Sequence, residues 1–183
     1  MNCANCGGPL RLEPDKDFLA CDYCKSIYFP EPNQDGVRIL DEPLPQLCPC
    51  CQVPLLPGSL EQRSILYCQR CRGMLVPLTA FLGLVQVLRA NRQGPAEPPR
   101  PPNLEDLNRH LNCPLCLDPM DTHPYAGPGN VIIDNCPNCA QNWLDHNELL
   151  RIAAAPDTQI NREAWDGIPA LLTRTSSYEE DEV

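Results

Sequence analysis

A series of small metal-stapled β-hairpin modules is the fold class this sequence predicts, on three observations. Twelve of the thirteen cysteines fall into six Cys-x2-Cys pairs. The pairs come in three couples: Cys3/Cys6 with Cys21/Cys24 after fourteen residues, Cys48/Cys51 with Cys68/Cys71 after sixteen, and Cys113/Cys116 with Cys136/Cys139 after nineteen. Aromatic residues make up only 5% of the 183 residues, thin for one large apolar core. Pieces shorter than about 40 residues rarely fold on apolar burial alone and need a metal or disulfides.

The spacing says which staple. Couples of CxxC pairs separated in this way read as zinc sites. A CxxC turn is a tight knuckle that sets two sulfurs on one side and turns backbone N–H groups toward them, stabilising the thiolates. Two facing knuckles complete a tetrahedron with Zn–S near 2.3 Å, and the chain between them must leave, reverse and return as a hairpin, the unit called a zinc ribbon. Three Zn(2+) ions are expected, held by Cys3, Cys6, Cys21 and Cys24, by Cys48, Cys51, Cys68 and Cys71, and by Cys113, Cys116, Cys136 and Cys139. Iron takes the same four-sulfur set in rubredoxin-type sites; zinc is the reading adopted. Four cysteines leave no open coordination position, so the sites read as structural, and no nucleophile–base pair or phosphate loop is visible: no enzyme is expected. CxxC pairs and an odd thiol, with no signal-peptide pattern, point to the reducing cytoplasm. No apolar run approaches the ~20 residues that span a bilayer.

The copies agree beyond their cysteines. Pro9, Pro54 and Pro119 stand three residues after each second cysteine. Phe18, Ile65 and Ile133 stand three before each third cysteine, and Tyr28-Phe29, Leu75-Val76 and Trp143-Leu144 follow each fourth. In the first copy hairpin arms are expected at Pro9–Glu13 and Asp17–Cys21, around Pro14-Asp15-Lys16; in the third, Gly127-Pro128-Gly129-Asn130 is the turn before Val131-Ile132-Ile133. The second and third ribbons continue into helices. One runs from about Leu78 to Asn91, with Pro77 at its start and Phe81, Leu84, Val85 and Leu88 on one face; the other follows Asp145 and Glu148, a capping-box-like pair. Pro-rich linkers join the units. The expected organisation is ribbon 1 at 1–30, a linker at 31–46, ribbon 2 with its helix at 47–92, a Pro-rich linker with a short helix at 93–111, ribbon 3 with its helix at 112–155, and an acidic tail at 156–183, with a short helix at 157–165.

The formal net charge is −10. Each zinc tetrathiolate adds −2, so three bring it to about −16, a field that repels nucleic-acid phosphate. Against this, Arg63, Arg70, Arg72, Arg89 and Arg92 make the second copy locally basic. They are the candidate nucleic-acid face, or else an ordinary solvated surface. His110, His123 and His146 sit at no knuckle spacing and read as solvated. Cys50 is the thirteenth thiol, read as a spare residue inside its knuckle, with a redox-sensing role as the alternative. The apolar helix face is expected to pack on the zinc knuckle, or otherwise to meet a partner. Trp143 is expected to pack under the second knuckle at the helix start.

Cys113-Pro114-Leu115-Cys116, the run Val131-Ile132-Ile133-Asp134-Asn135-Cys136-Pro137-Asn138-Cys139, then Trp143-Leu144-Asp145 and Glu148-Leu149-Leu150 closely resemble the TFIIB-type zinc-finger domain of many small bacterial proteins. The family's glycine pair after the last cysteine is replaced by Ala140-Gln141, which assigns the positive-φ position to Asn142. The second copy keeps Arg72-Gly73 there and resembles a degenerate member; the first resembles a more general ribbon. The resemblance implies a fold and a metal, not an activity. The functional expectation is a cytoplasmic, bacterial, non-enzymatic adaptor or regulatory module that contacts protein. The alternatives are a nucleic-acid-binding, transcription-linked protein and a redox- or zinc-responsive switch.

Overall fold

A computed structural model describes residues 1–12 and 18–156. The first hairpin's turn and the tail beyond Pro156, including its expected helix, lie outside the described residues.

Ribbon 1 forms its own small sheet. Strand β1 (Leu10–Leu12) pairs antiparallel with β2 (Leu19–Cys21), which pairs with β3 (Ile27–Tyr28). Strands this short bury little; Leu19 is covered, and Phe18 and Phe29 meet edge to face at 5.5 Å.

Ribbons 2 and 3 share one antiparallel sheet of seven strands. Its members are β4 (Arg38–Ile39), β5 (Leu56–Leu60), β6 (Arg63–Tyr67), β7 (Met74–Pro77), β8 (Asp121–Pro124), β9 (Ile132–Cys136) and β10 (Gln141–Leu144), in the order β4-β5-β6-β7-β10-β9-β8. The join is β7 against β10. It is centred on Leu75 opposite Trp143, each four residues past the last cysteine of its ribbon. It steps outward symmetrically, Val76 opposite Asn142 and Met74 opposite Leu144. The two ribbons are thus related by an approximate two-fold axis through that pair. Helix α1 (Leu78–Ala90) starts directly from β7, with Pro77 at its N-cap, and α2 (Glu148–Ala154) follows β10.

Alternation along the strands gives the sheet two different faces. Met74, Val76 and Leu144 point to the helices, where Phe81, Leu84 and Ile152 close an apolar core. Leu75 and Trp143 point the other way, into a cluster that includes cysteines of both knuckle sets. The α1 face Phe81/Leu84/Val85/Leu88 therefore packs neither on a zinc knuckle nor on a partner. It covers the far side of the sheet and reaches into ribbon 3, where Phe81 meets Tyr125 edge to face at 5.4 Å. The sheet is wider than one ribbon, and this provides the area that the helix covers.

The proline-rich connections are bound to this body. In the first, β4 adds to the sheet edge, Arg38 opposite Ser59, and Leu44 N–H donates to the Leu55 carbonyl at 2.8 Å. Asn33 Oδ1 accepts from the Asp35 and Val37 N–H groups, forming a loop that aims Asp35 at Arg72, Tyr67 and His146. In the second, Glu97 N–H donates to the last turn of α2 at the Ala154 carbonyl, 2.9 Å away. The Arg151 guanidinium reaches the carbonyls of Pro101 and Asn130. Among the described residues no helix is long and apolar enough to cross a membrane.

Candidate metal centres

All six knuckles have the same backbone. The residue after the second cysteine has a positive φ in each: Gly7 72°, Lys25 59°, Gln52 54°, Arg72 63°, Leu117 66° and Ala140 51°. In five of them that residue's N–H donates to the carbonyl of the first cysteine at 2.8–3.0 Å. The position assigned above to Asn142 is therefore held by Ala140, while Asn142 is an ordinary buried strand residue of β10. A left-handed alanine costs of order 1–2 kcal/mol, so this position carries backbone strain that the knuckle imposes. The entry to each ribbon is also the same, a single bridge at Asn2–Pro9, Leu47–Pro54 and Asn112–Pro119.

These knuckles bring together the three expected quartets. In each, the four sulfurs lie within 4.8 Å of one another. Cys6 to Cys21 is 3.4 Å, Cys51 to Cys68 is 3.3 Å and Cys116 to Cys136 is 3.5 Å. Such spacings are too long for disulfides. They lie slightly inside the ~3.8 Å edge of a tetrahedron with Zn–S of about 2.3 Å. N–H groups point at sulfur as the knuckle argument requires: Cys139 N–H to Cys136 Sγ at 3.4 Å and Leu115 N–H to Cys113 Sγ at 3.5 Å. Hydrogen bonds from Ser26, side chain first, lower the Cys24 thiol to about 6. A set of four thiolates with backbone support fits zinc, whose bound charge they balance. Cys50 stays outside its quartet; its Sγ lies 3.8 Å from an Asp145 carboxylate oxygen across the ribbon 2–ribbon 3 junction. His110, His123 and His146 are exposed and join no quartet.

A polar network missed by sequence reasoning braces the third centre. Asp134 on β9 is fully buried beneath the knuckle, directly opposite Trp143. It accepts from Thr122 Oγ1 at 2.5 Å and pairs with Arg109, whose guanidinium also pairs with Asp145. Burial raises the Asp134 carboxyl against the pull of Thr122 and Arg109. For Arg109, burial opposes the charge, but the bonds to Asp145 and Asp134 outweigh it and raise its pKa. Asp145 also accepts from the Trp143 indole N–H at 3.0 Å, so its carboxylate is not the helix cap. Only half of the expected capping box forms: Glu148 accepts from the Asp145 N–H at 2.7 Å, and the N-cap is Asn147 at φ 71°, with no side-chain cap bond. Oxygens of Asp106, Asp145 and Glu148 also lie within 4.8 Å of one another, with Arg109 paired to the cluster at Asp145.

Glu148 is almost fully buried, and this burial pushes its carboxyl from 4.5 up to about 8. Between those values the folded protein holds a proton that the unfolded chain has released, so this group's contribution to stability falls as pH rises through the window. Glu148→Gln keeps an acceptor for the Asp145 N–H without the buried charge. In denaturant unfolding of the zinc-loaded protein, the variant should gain about 2–3 kcal/mol on wild type between pH 6 and pH 8. A constant difference across that range would contradict the assignment.

No curated protein and no solved structure gives a significant match to the chain. Residues 112–155, carrying the third quartet, Trp143, Asp145 and Glu148, match the family model of TFIIB-type zinc ribbons described as a transcription factor zinc-finger, which supports zinc as the metal of this part of the chain.

Proposed function

We propose that the protein is a non-enzymatic interaction module in which three zinc ions fold the ribbons and ribbon 1 offers a surface to a protein partner. The observation that carries this reading is the number of exposed apolar side chains on ribbon 1. Tyr23 is 75% exposed and Phe29 51%, with Ile27 and Tyr28 exposed between them. Aromatic side chains left exposed in this density favour contact with a partner. Ribbon 1 has its own sheet, and its strands are not needed to complete the seven-stranded one. Closed four-sulfur centres support a structural rather than a catalytic metal.

The nucleic-acid reading draws on five arginines, and three of them have internal work. Arg72 pairs with Asp35, which the guanidinium holds below the usual carboxylate range. Arg89 and Arg92 donate to the carbonyls of Ile152, Ala153 and Ala154, the C-terminal end of α2. Arg63 and Arg70 remain exposed, few contacts for a strongly negative chain to hold a phosphate backbone.

The test is a comparison of wild type with a Tyr23→Ser/Phe29→Ser variant of unchanged zinc content. A partner recovered by the wild type at low and moderate salt and lost by the variant supports the proposal. Equal recovery by both, or no specific protein with either, overturns it. A mobility shift of nucleic acid at low salt that weakens steeply with added salt would instead favour the alternative.

A further inference from the structure

The approximate two-fold axis relates two sites on the knuckle face of the sheet, and one is filled while the other is open. The filled one is the network above. Its floor is Asp134 and Trp143, with Asp145 beyond, Arg109 enters from the segment before the knuckle, and Cys50 comes from the opposite ribbon. Counting from the cysteines, the matching positions around the other site are Leu66, Leu75, Pro77, Leu44 and Leu115. These residues line a pocket of about 290 Å³. Its opening has a simple cause: a leucine stands where the twin has an indole, and among the described residues no ion pair crosses it. Gln46 lies on its wall, and its Oε1 is buried without a hydrogen-bond partner among the described residues. An unpaired buried acceptor is costly until a donor arrives.

We propose that the indole of Trp165, in the chain's C-terminal segment, seats in this pocket and donates its N–H to Gln46 Oε1. Three observations select that occupant. The twin site shows the complementary shape, an indole on this face of the same sheet with its N–H bonded to a side-chain oxygen at 3.0 Å. The chain has two tryptophans, and Trp165 is the other one. Trp165 stands nine positions beyond Pro156. Extended, these nine steps span about 30 Å, close to the full width of a body of about 120 residues. The tail would then cover the apolar junction between ribbons 2 and 3, a contact separate from the exposed side chains of ribbon 1 and tested separately from them.

Fluorotryptophan labelling of the full, zinc-loaded chain gives two fluorine NMR signals, assigned with Trp165→Phe. The Trp165 signal is expected to be broadened severalfold less by a soluble paramagnetic agent than free tryptophan amide is, and to keep that protection on dilution. Leu115→Glu puts a charge at the exposed mouth, and Gln46→Leu removes the acceptor. Both should raise the Trp165 response toward that of the free amide, while the Trp143 signal and zinc content report an intact fold. A Trp165 signal as accessible as the free amide in wild type overturns the proposal. So does protection that survives both substitutions, which means docking elsewhere, or protection lost on dilution, which means a second copy supplies the indole.

Discussion

A strong chelator added to the reduced protein is expected to remove one zinc ion early and two together later, with the sheet lost in the second step. Structural zinc contributes about 10–16 kcal/mol per site in small ribbons, as much as the whole stability of an ordinary domain. Nothing in ribbon 1 replaces that: its strands have three, three and two residues, Cys6 is exposed and the nearby aromatics face water. The second and third quartets are different. Cys48, Cys68, Cys113 and Cys136 are buried in one cluster with Leu55, Leu75 and Trp143, so emptying either centre loosens the packing around the other. Zinc release followed with a metal indicator, alongside far-ultraviolet circular dichroism, resolves the steps. Cys21→Ser should cost one ion and leave the seven-stranded sheet standing, whereas Cys136→Ser should cost two and abolish it. Full secondary structure in the metal-free protein would remove the physical basis of the fold.

The parts of this architecture that sequence reveals are those encoded locally. Cysteine spacing finds the quartets because a knuckle has four residues and one geometry. Helical periodicity places α1, and turn chemistry places the hairpin before Ile132. The pairing of β7 with β10 is not local. Its signal was present in a quieter form: Met74, Leu75 and Val76 are apolar in succession, a pattern that means burial on both faces and so a covered sheet. Gly73 carries another part of it. A Cβ there would lie 2.5 Å from Trp143 Cζ2, so the glycine lets the neighbouring ribbon's indole lie against the knuckle. Proline content misleads in the opposite direction, because it describes an extended backbone equally well whether that backbone is solvated or strapped to α2 and to the sheet edge. Asp134 and Arg109 were unreadable for a related reason. In sequence a charged residue looks solvated, and only the fold reveals that it has been buried with its partner.

That buried pair supports the second large effect. Arg109→Leu leaves Asp134 beneath the knuckle with Thr122 as its remaining hydrogen-bond donor, and the loss should be about 3–5 kcal/mol in denaturant unfolding of the zinc-loaded protein. With its counter-ion gone the carboxyl rises further, so the penalty grows with pH for as long as the group is ionised in the unfolded chain but still protonated in the folded variant. The approximate two-fold says how to repair it. The positions matching Arg109 and Asp134 in ribbon 2 are Leu44 and Leu66, where the same backbone stands without an ion pair. Adding Asp134→Leu to Arg109→Leu therefore writes ribbon 2's own solution into ribbon 3, and replacing a buried ion pair with apolar side chains of similar size is commonly neutral or better. The double variant should recover most of the stability lost by the single one. If it stays as weak as Arg109→Leu, the arginine acts through Asp145 and the Trp143 indole rather than by neutralising Asp134. A single variant within about 0.5 kcal/mol of wild type would mean that the network braces nothing.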